Sequence, residues 1–164
     1  MTSIAELTQK MIAYSQGNLH DIAHFLKVWA YARTIGELEG LDGETQFLLE
    51  AAALIHDIAC PLCREKYGNT NGKYQEAEGQ ALAADFLREC GYPQPFIDRV
   101  AYLVGHHHTP DGVDGPDYQI LLEADYLVNA DEAGYPPENI RRTLHTLFRT
   151  PTGCALLRSV YGIE

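Results

Sequence analysis

A chain of 164 residues with 46% hydrophobic residues suits one domain with a real core, and a net charge of −11 argues against non-specific nucleic-acid binding, which needs a basic surface. No apolar run approaches the roughly 20 residues of a membrane span and no basic-then-apolar leader opens the chain, so no membrane role and a cytoplasmic location are expected.

Helical periodicity dominates from the start. Ile4, Leu7, Met11 and Ile12 predict a first helix to about Tyr14, broken at Gly17-Asn18. Asn18, with Asp21 three residues on, reads as an N-cap with an acidic first turn. The second helix then runs to about Leu38, with Ile22, Phe25, Leu26, Trp29 and Ala30 as its apolar stripe, and Gly40 stops it. Asp42 or Glu44 opens a third helix that ends in His56-Asp57. Cys60 to Tyr74, rich in Pro, Gly and Asn, is expected to be a loop of about 15 residues, a length usually functional or mobile. A fourth helix is predicted near Gln75 to Cys90, and a fifth from Pro93 and Pro95 to His106-His107-His108. Turn signals fill Thr109 to Asp117, a sixth helix spans about Tyr118 to Asn129, and a seventh follows Pro136-Pro137 to about Arg149. Thr150-Pro151 starts a short last helix as an N-cap and N1 pair. With no repeat or linker, the pattern predicts an all-α, single-domain bundle of about seven to eight helices over residues 1–164.

The chemistry centres on Ala51-Ala52-Ala53-Leu54-Ile55-His56-Asp57, an apolar helix ending in an imidazole and a carboxylate. A buried carboxylate needs a cation or several donors, and Asp and neutral His are both good metal ligands. Asp125 repeats the theme, with Leu121, Leu122 and Val128 at i−4, i−3 and i+3 turning it toward an apolar face. Glu123 falls on another face and is read as solvated. His24 lies among Phe25, Val28 and Trp29, while His20, one turn earlier, suits the surface. At most two of His106, His107 and His108 can face one point. Acids and imidazoles on separate apolar helices fit a shared metal better than separate accidents, although a carbonyl-bonded core imidazole also explains each histidine taken alone. His145 has no acidic neighbour and is read as structural. Cys60-Pro61-Leu62-Cys63 lacks a second ligand pair for zinc and a βαβ context for thioredoxin-like chemistry, so it is read as incidental thiols, with a redox role as the remote alternative.

The order His24, His56-Asp57, Asp125 on successive helices resembles the HD-domain metal-dependent phosphohydrolases over roughly residues 18 to 132. The carrying segments are His24-Phe25-Leu26-Lys27-Val28-Trp29-Ala30, Ala52-Ala53-Leu54-Ile55-His56-Asp57-Ile58 and Leu122-Glu123-Ala124-Asp125-Tyr126-Leu127. The resemblance implies that His24, His56, Asp57 and Asp125 hold one divalent ion, which can be Mn, Fe, Co, Ni or Zn. Dinuclear members add a histidine on the next helix, where this chain has Tyr74-Gln75-Glu76-Ala77-Glu78-Gly79. A single ion is therefore favoured, with Glu76 or Glu78 as possible substitutes and His106 and His107 as partial ligands. Asp57 and His106 are the expected catalytic residues, with Glu123 and Glu78 as weaker candidates for proton transfer. Lys27, Arg64, Lys66 and Lys73, with His106 and His107, are expected to bind a small phosphorylated, nucleotide-like substrate, although solvated surface charge explains each loop cation equally well. A homo-oligomer is compatible with the sequence. The expected activity is hydrolysis of a phosphomonoester or phosphodiester. The alternative is a metal-containing nucleotide-binding or sensor domain that has lost turnover.

Overall fold

The computed structural model describes residues 1–164 as nine helices and no strand. The first three are α1 (Ile4–Tyr14), α2 (Leu19–Leu38) and α3 (Gly43–Ile55); α4 (Cys60–Tyr67), α5 (Gly72–Glu89) and α6 (Gln94–Val104) follow. The last three are α7 (Pro116–Glu132), α8 (Pro137–Thr146) and α9 (Pro151–Tyr161). Local chemistry sets most of the starts. Ser3 and Glu6 form a capping box on α1, and the side chains of Asn18, Asp42 and Thr150 accept from the third backbone N–H of α2, α3 and α9.

The expected loop at 60–74 is half helix. Pro61 stands in the first turn of α4, where its missing N–H costs nothing, and Gly68 closes the helix at φ +73°. Only Thr70 and its neighbours remain as a connector before α5, which starts earlier than expected, at Gly72. This extra helix brings the total to nine.

Helix α3 is the hub. It packs on α1, α2, α6 and α7, and every residue from Leu49 to Ile55 is buried. Together α3 and α4 form an apolar stretch, Gly43–Tyr67, with the composition of a membrane span. Most of it is buried inside the bundle, and the turn His56–Ala59 divides it. Helix α7 is nearly as enclosed, with α2 and α3 on one side and α9 on another.

That enclosure overturns the reading of Glu123 as solvated, because the residue is completely buried. Its carboxylate accepts from the backbone N–H of Arg149 and Thr150, the Thr150 hydroxyl and the Gln119 amide, at 2.6–3.1 Å. Four donors satisfy the buried charge and tie the α8–α9 connection to α7. Glu123 is thus a clasp, away from the cavity described below and unavailable for proton transfer. Glu123→Ala strands those donors and should cost about 3 kcal/mol. The midpoint of thermal denaturation should fall by roughly 6–12 °C, whereas a solvated glutamate would cost under about 0.5 kcal/mol.

Candidate metal centre

Four elements meet at one point. His24 comes from the middle of α2, His56 and Asp57 from the turn that ends α3, His107 from the turn after α6, and Asp125 from the middle of α7. The three histidines and Asp125 are buried, and Asp57 is partly open to solvent. His24 Nε2 lies 3.1 Å from His56 Nε2, 3.1 Å from Asp57 Oδ2 and 3.2 Å from Asp125 Oδ1. His56 Nε2 lies 3.3 Å from Asp125 Oδ1 and 3.4 Å from Asp57 Oδ1.

The other ring nitrogens decide what these distances mean. His24 Nδ1–H donates to Glu132 Oε1 at 2.6 Å, and His56 Nδ1–H donates to the Ala53 carbonyl at 2.7 Å. His107 Nδ1–H donates to the Val104 carbonyl at 2.7 Å. In neutral rings all three Nε2 atoms then carry lone pairs, and they point at one another and at carboxylate oxygens. Asp125 Oδ1 is buried and, while the facing ring nitrogens carry no proton, has no hydrogen-bond donor. Lone pairs packed this closely repel unless a positive charge lies among them. Adjacent donors about 2.1 Å from a common ion stand roughly 3.0–3.4 Å apart, the spacing found between the two rings and from each ring to each carboxylate; His24, His56 and Asp57 form the compact group, and Asp125 approaches it through both rings. His24, His56, Asp57 and Asp125 therefore fit a divalent metal.

Glu132 is the functional residue that the sequence reading missed. It orients His24 through Nδ1, and its second oxygen accepts from Lys27 Nζ at 2.8 Å. Lys27 is thus half-exposed and committed to Glu132, a support for the ligand rather than a free phosphate binder. The available signal was spacing: Asn129 and Glu132 lie four and seven residues after Asp125, on the same helical face.

A second group, Asp57, His107 and His108, can also hold a metal and shares Asp57 with the first. His107 Nε2 is 3.4 Å from Asp57 Oδ1. Gln75 takes the inward position on α5, with Oε1 3.2 Å from His107 Nε2 and 3.0 Å from His108 Nε2, while its amide N–H donates to the Thr70 carbonyl. Glu76 does not enter the site; it holds the His108 backbone N–H and the Thr109 hydroxyl. Glu78 is engaged on the surface by Lys66 and Tyr67.

His106 is the clearest correction. Its ring stacks on Tyr102 and its Nδ1–H donates to the Tyr102 carbonyl, which places it outside both the cluster and the lining of the cavity. The turn after α6 sends His107 and His108 inward instead. Of the loop cations, Arg64 lines the site cavity, where it forms a bidentate pair with Asp21 at 2.5–2.8 Å. Lys73 lies over the Tyr74 ring and Lys66 pairs with Glu78, both outside the cavity. His20 is exposed but stands at the cavity wall, stacked near His24. His145 is on the surface. Cys60 also lines the cavity, but burial and the Asp57 charge push its thiol pKa up, away from the reactive thiolate range.

Charge couples the group together. Burial lowers the His24 pKa, but hydrogen bonds and charge from Asp125 and Asp57 outweigh it and raise the pKa to about 11. Burial raises Asp57 and Asp125, but the neighbouring imidazoles pull both well below the carboxylate range. Burial and then His107 lower His108 to about 4, so it is neutral at pH 7. Without a metal, a proton on His24 offsets one of the two negative charges of Asp57 and Asp125.

A family model described as the HD domain matches residues 19–132. The chain is also similar to a solved structure described as a predicted HD superfamily hydrolase from an uncultured Thermotogales bacterium. That likeness covers 97% of this chain and 83% of the other, with 24% identity and a TM-score of 0.66, and it concerns the fold. No curated protein matches the chain.

Two outcomes follow from the ligand geometry. Glu132→Gln should weaken Mn²⁺ or Zn²⁺ binding by about 10–100-fold in a calorimetric titration, as loss of an outer-shell partner does. The proton on His24 and the metal compete for Nε2, so the raised pKa makes binding weaken as pH falls. Apparent affinity should drop about tenfold per pH unit between pH 8 and 6, with one proton released per ion bound.

Proposed function

The chain belongs to the HD-domain family, and on that premise we propose that it is a divalent-metal-dependent phosphohydrolase, working in the cytoplasm on a small phosphomonoester or phosphodiester of nucleotide-like kind. The observation that carries this reading is the convergence of the His24 and His56 Nε2 atoms with the Asp57 and Asp125 carboxylates at 3.1–3.4 Å. We propose one tightly held ion at His24, His56, Asp57 and Asp125, because Gln75 offers the second group a neutral amide oxygen in place of an imidazole.

When bound, the ion supplies a water of lowered pKa and offsets charge on the phosphoryl oxygens. The chain's own residues do the rest. Asp57 is the least buried of the four ligands and faces the cavity, where a carboxylate oxygen can accept a hydrogen bond from a water and orient it. Arg64 stands at the cavity wall with a guanidinium fork suited to phosphate, and it can exchange Asp21 for an incoming phosphoryl group. Thr70, Asn129 and neutral His108 also line the cavity and offer hydrogen bonds to substrate oxygens.

A second reading, a binding or sensor module without turnover, is favoured by one observation: Arg64 is already saturated by Asp21. The two are separated by phosphate release. With Mn²⁺, Co²⁺, Ni²⁺, Fe²⁺ or Zn²⁺ supplied in turn, a panel of phosphomonoesters and diesters should yield products. His56→Ala and Asp125→Ala should each abolish turnover and metal retention together. A melting shift induced by a nucleotide, with no product under any ion, would establish the sensor instead.

A further inference from the structure

The metal cavity opens beside a second hollow of different character. The first, about 140 Å³, is walled almost entirely by polar residues. The second, about 210 Å³, is lined by Pro110, Leu122, Tyr126, Tyr135 and Leu147. Both include His108, Asp125 and Asn129, which therefore form the partition between them. Apart from that partition and His107, the second hollow has no titratable lining except the two tyrosines, and no Lys, Arg or Glu.

The aromatic wall is held in place before any ligand arrives. The Tyr126 hydroxyl donates to Asn139 Oδ1 at 2.6 Å, and its ring meets Phe148 edge-on. Tyr135 follows Gly134, whose φ of +63° turns the chain at the end of α7, and the Tyr135 N–H donates back to the Ala130 carbonyl at 2.9 Å. Its ring centroid is 5.7 Å from that of Tyr126. Tyr135 is also among the few large apolar side chains left exposed. An exposed aromatic on the rim of an apolar hollow, set by a fixed backbone turn and a neighbouring ring, offers stacking surface to a ligand.

We propose that this hollow receives the leaving group of the substrate, and that the substrate is a phosphomonoester of an uncharged alcohol bearing a flat aromatic ring, a description that includes a nucleoside. The inference rests on the phosphohydrolase reading for its phosphoryl half and on the Tyr126–Tyr135 wall for the other. The partition sets the arrangement: a phosphoryl group beside Asp57 and Asp125 projects its ester oxygen past Asn129 toward the tyrosines. A charged leaving group would meet no counter-charge there, and both compartments are small beside the roughly 300–1,000 Å³ of common ligand pockets. Hydrolysis joins the water oxygen to phosphorus and breaks the bond from phosphorus to the ester oxygen, whose electron pair takes a proton from that water. The products are inorganic phosphate and the free alcohol.

The test uses the full chain loaded with Mn²⁺ and two non-hydrolysable probes, phenylphosphonate and methylphosphonate, by calorimetry. Phenylphosphonate should bind about tenfold more tightly, the effect of burying one ring. Tyr135→Ala should remove most of that preference, and Tyr135→Phe should keep it. Equal binding of the two probes, a preference untouched by Tyr135→Ala, or binding of neither probe would overturn the proposal. Hydrolysis of phenyl phosphate is measured alongside, with His56→Ala as the blank. Turnover without the phosphonate preference sinks the aromatic hollow and leaves the hydrolase. The preference without turnover supports the hollow and sinks the hydrolase.

Discussion

The direction of three imidazoles governs this molecule. Each ring gives its Nδ1–H to a fixed acceptor, Glu132, Ala53 or Val104, and so presents Nε2 as a bare lone pair. Two of the three acceptors are carbonyls of the histidine's own helix, three residues back. His56 directly follows the end of α3 and His107 lies three residues past the end of α6, where the last carbonyls lack backbone partners. The same unfilled carbonyls that end α3 and α6 thus fix the tautomers of His56 and His107. Only His24, in the interior of α2 where backbone carbonyls are already used, needs a partner from elsewhere, and Glu132 on α7 provides it.

The bundle exists around this requirement. Rings and carboxylates from α2, α3 and α7 reach one point only because these helices pack directly on one another. Small residues on the central helix, Ala51 to Ala53, allow that approach, and each is fully buried. Lys27 completes the chain of dependence by balancing Glu132, which would otherwise be a further carboxylate beside Asp125 and Asp57. Changing any member alters the electrostatics of the rest, so these residues behave as a unit rather than as independent contributors.

Much of this was legible before any coordinates. The apolar run before His56-Asp57 and the Leu121, Leu122 and Val128 spacing around Asp125 both gave the correct burial, because pattern and tertiary packing agree there. Glu123 was misread because it lies about 200° round the helix from Asp125, which faces solvent only if α7 has a single buried side. Chain from α8 and α9 covers that second side, and no local pattern in α7 reveals it. Helix α4 was missed because Pro61 and Gly68 mark a loop as readily as a helix start and stop, and the six residues between them show too little apolar periodicity to decide. The choice among His106, His107 and His108 depended on the direction of the turn after Val104, which backbone geometry sets and residue type does not.

The acidity of the whole chain now acquires a local meaning. Around the cavity stand the carboxylates of Asp21, Asp57, Asp125 and Glu132, against only Arg64 and the Lys27 that serves Glu132. Two negative charges remain, in a protein already at −11. A phosphoryl dianion approaching that cavity meets repulsion strengthened by low-dielectric walls. One divalent cation cancels the excess. Order of binding then follows from charge alone: the ion must enter before the anion. Arg64 has little reason to leave Asp21 until it does, because only the neutralised site can hold a phosphate close enough to compete for the guanidinium. On the hydrolase reading proposed above, the ion pair at the cavity wall and the metal ligands behind it are successive parts of one electrostatic device, in which the cation would make the anion's binding possible.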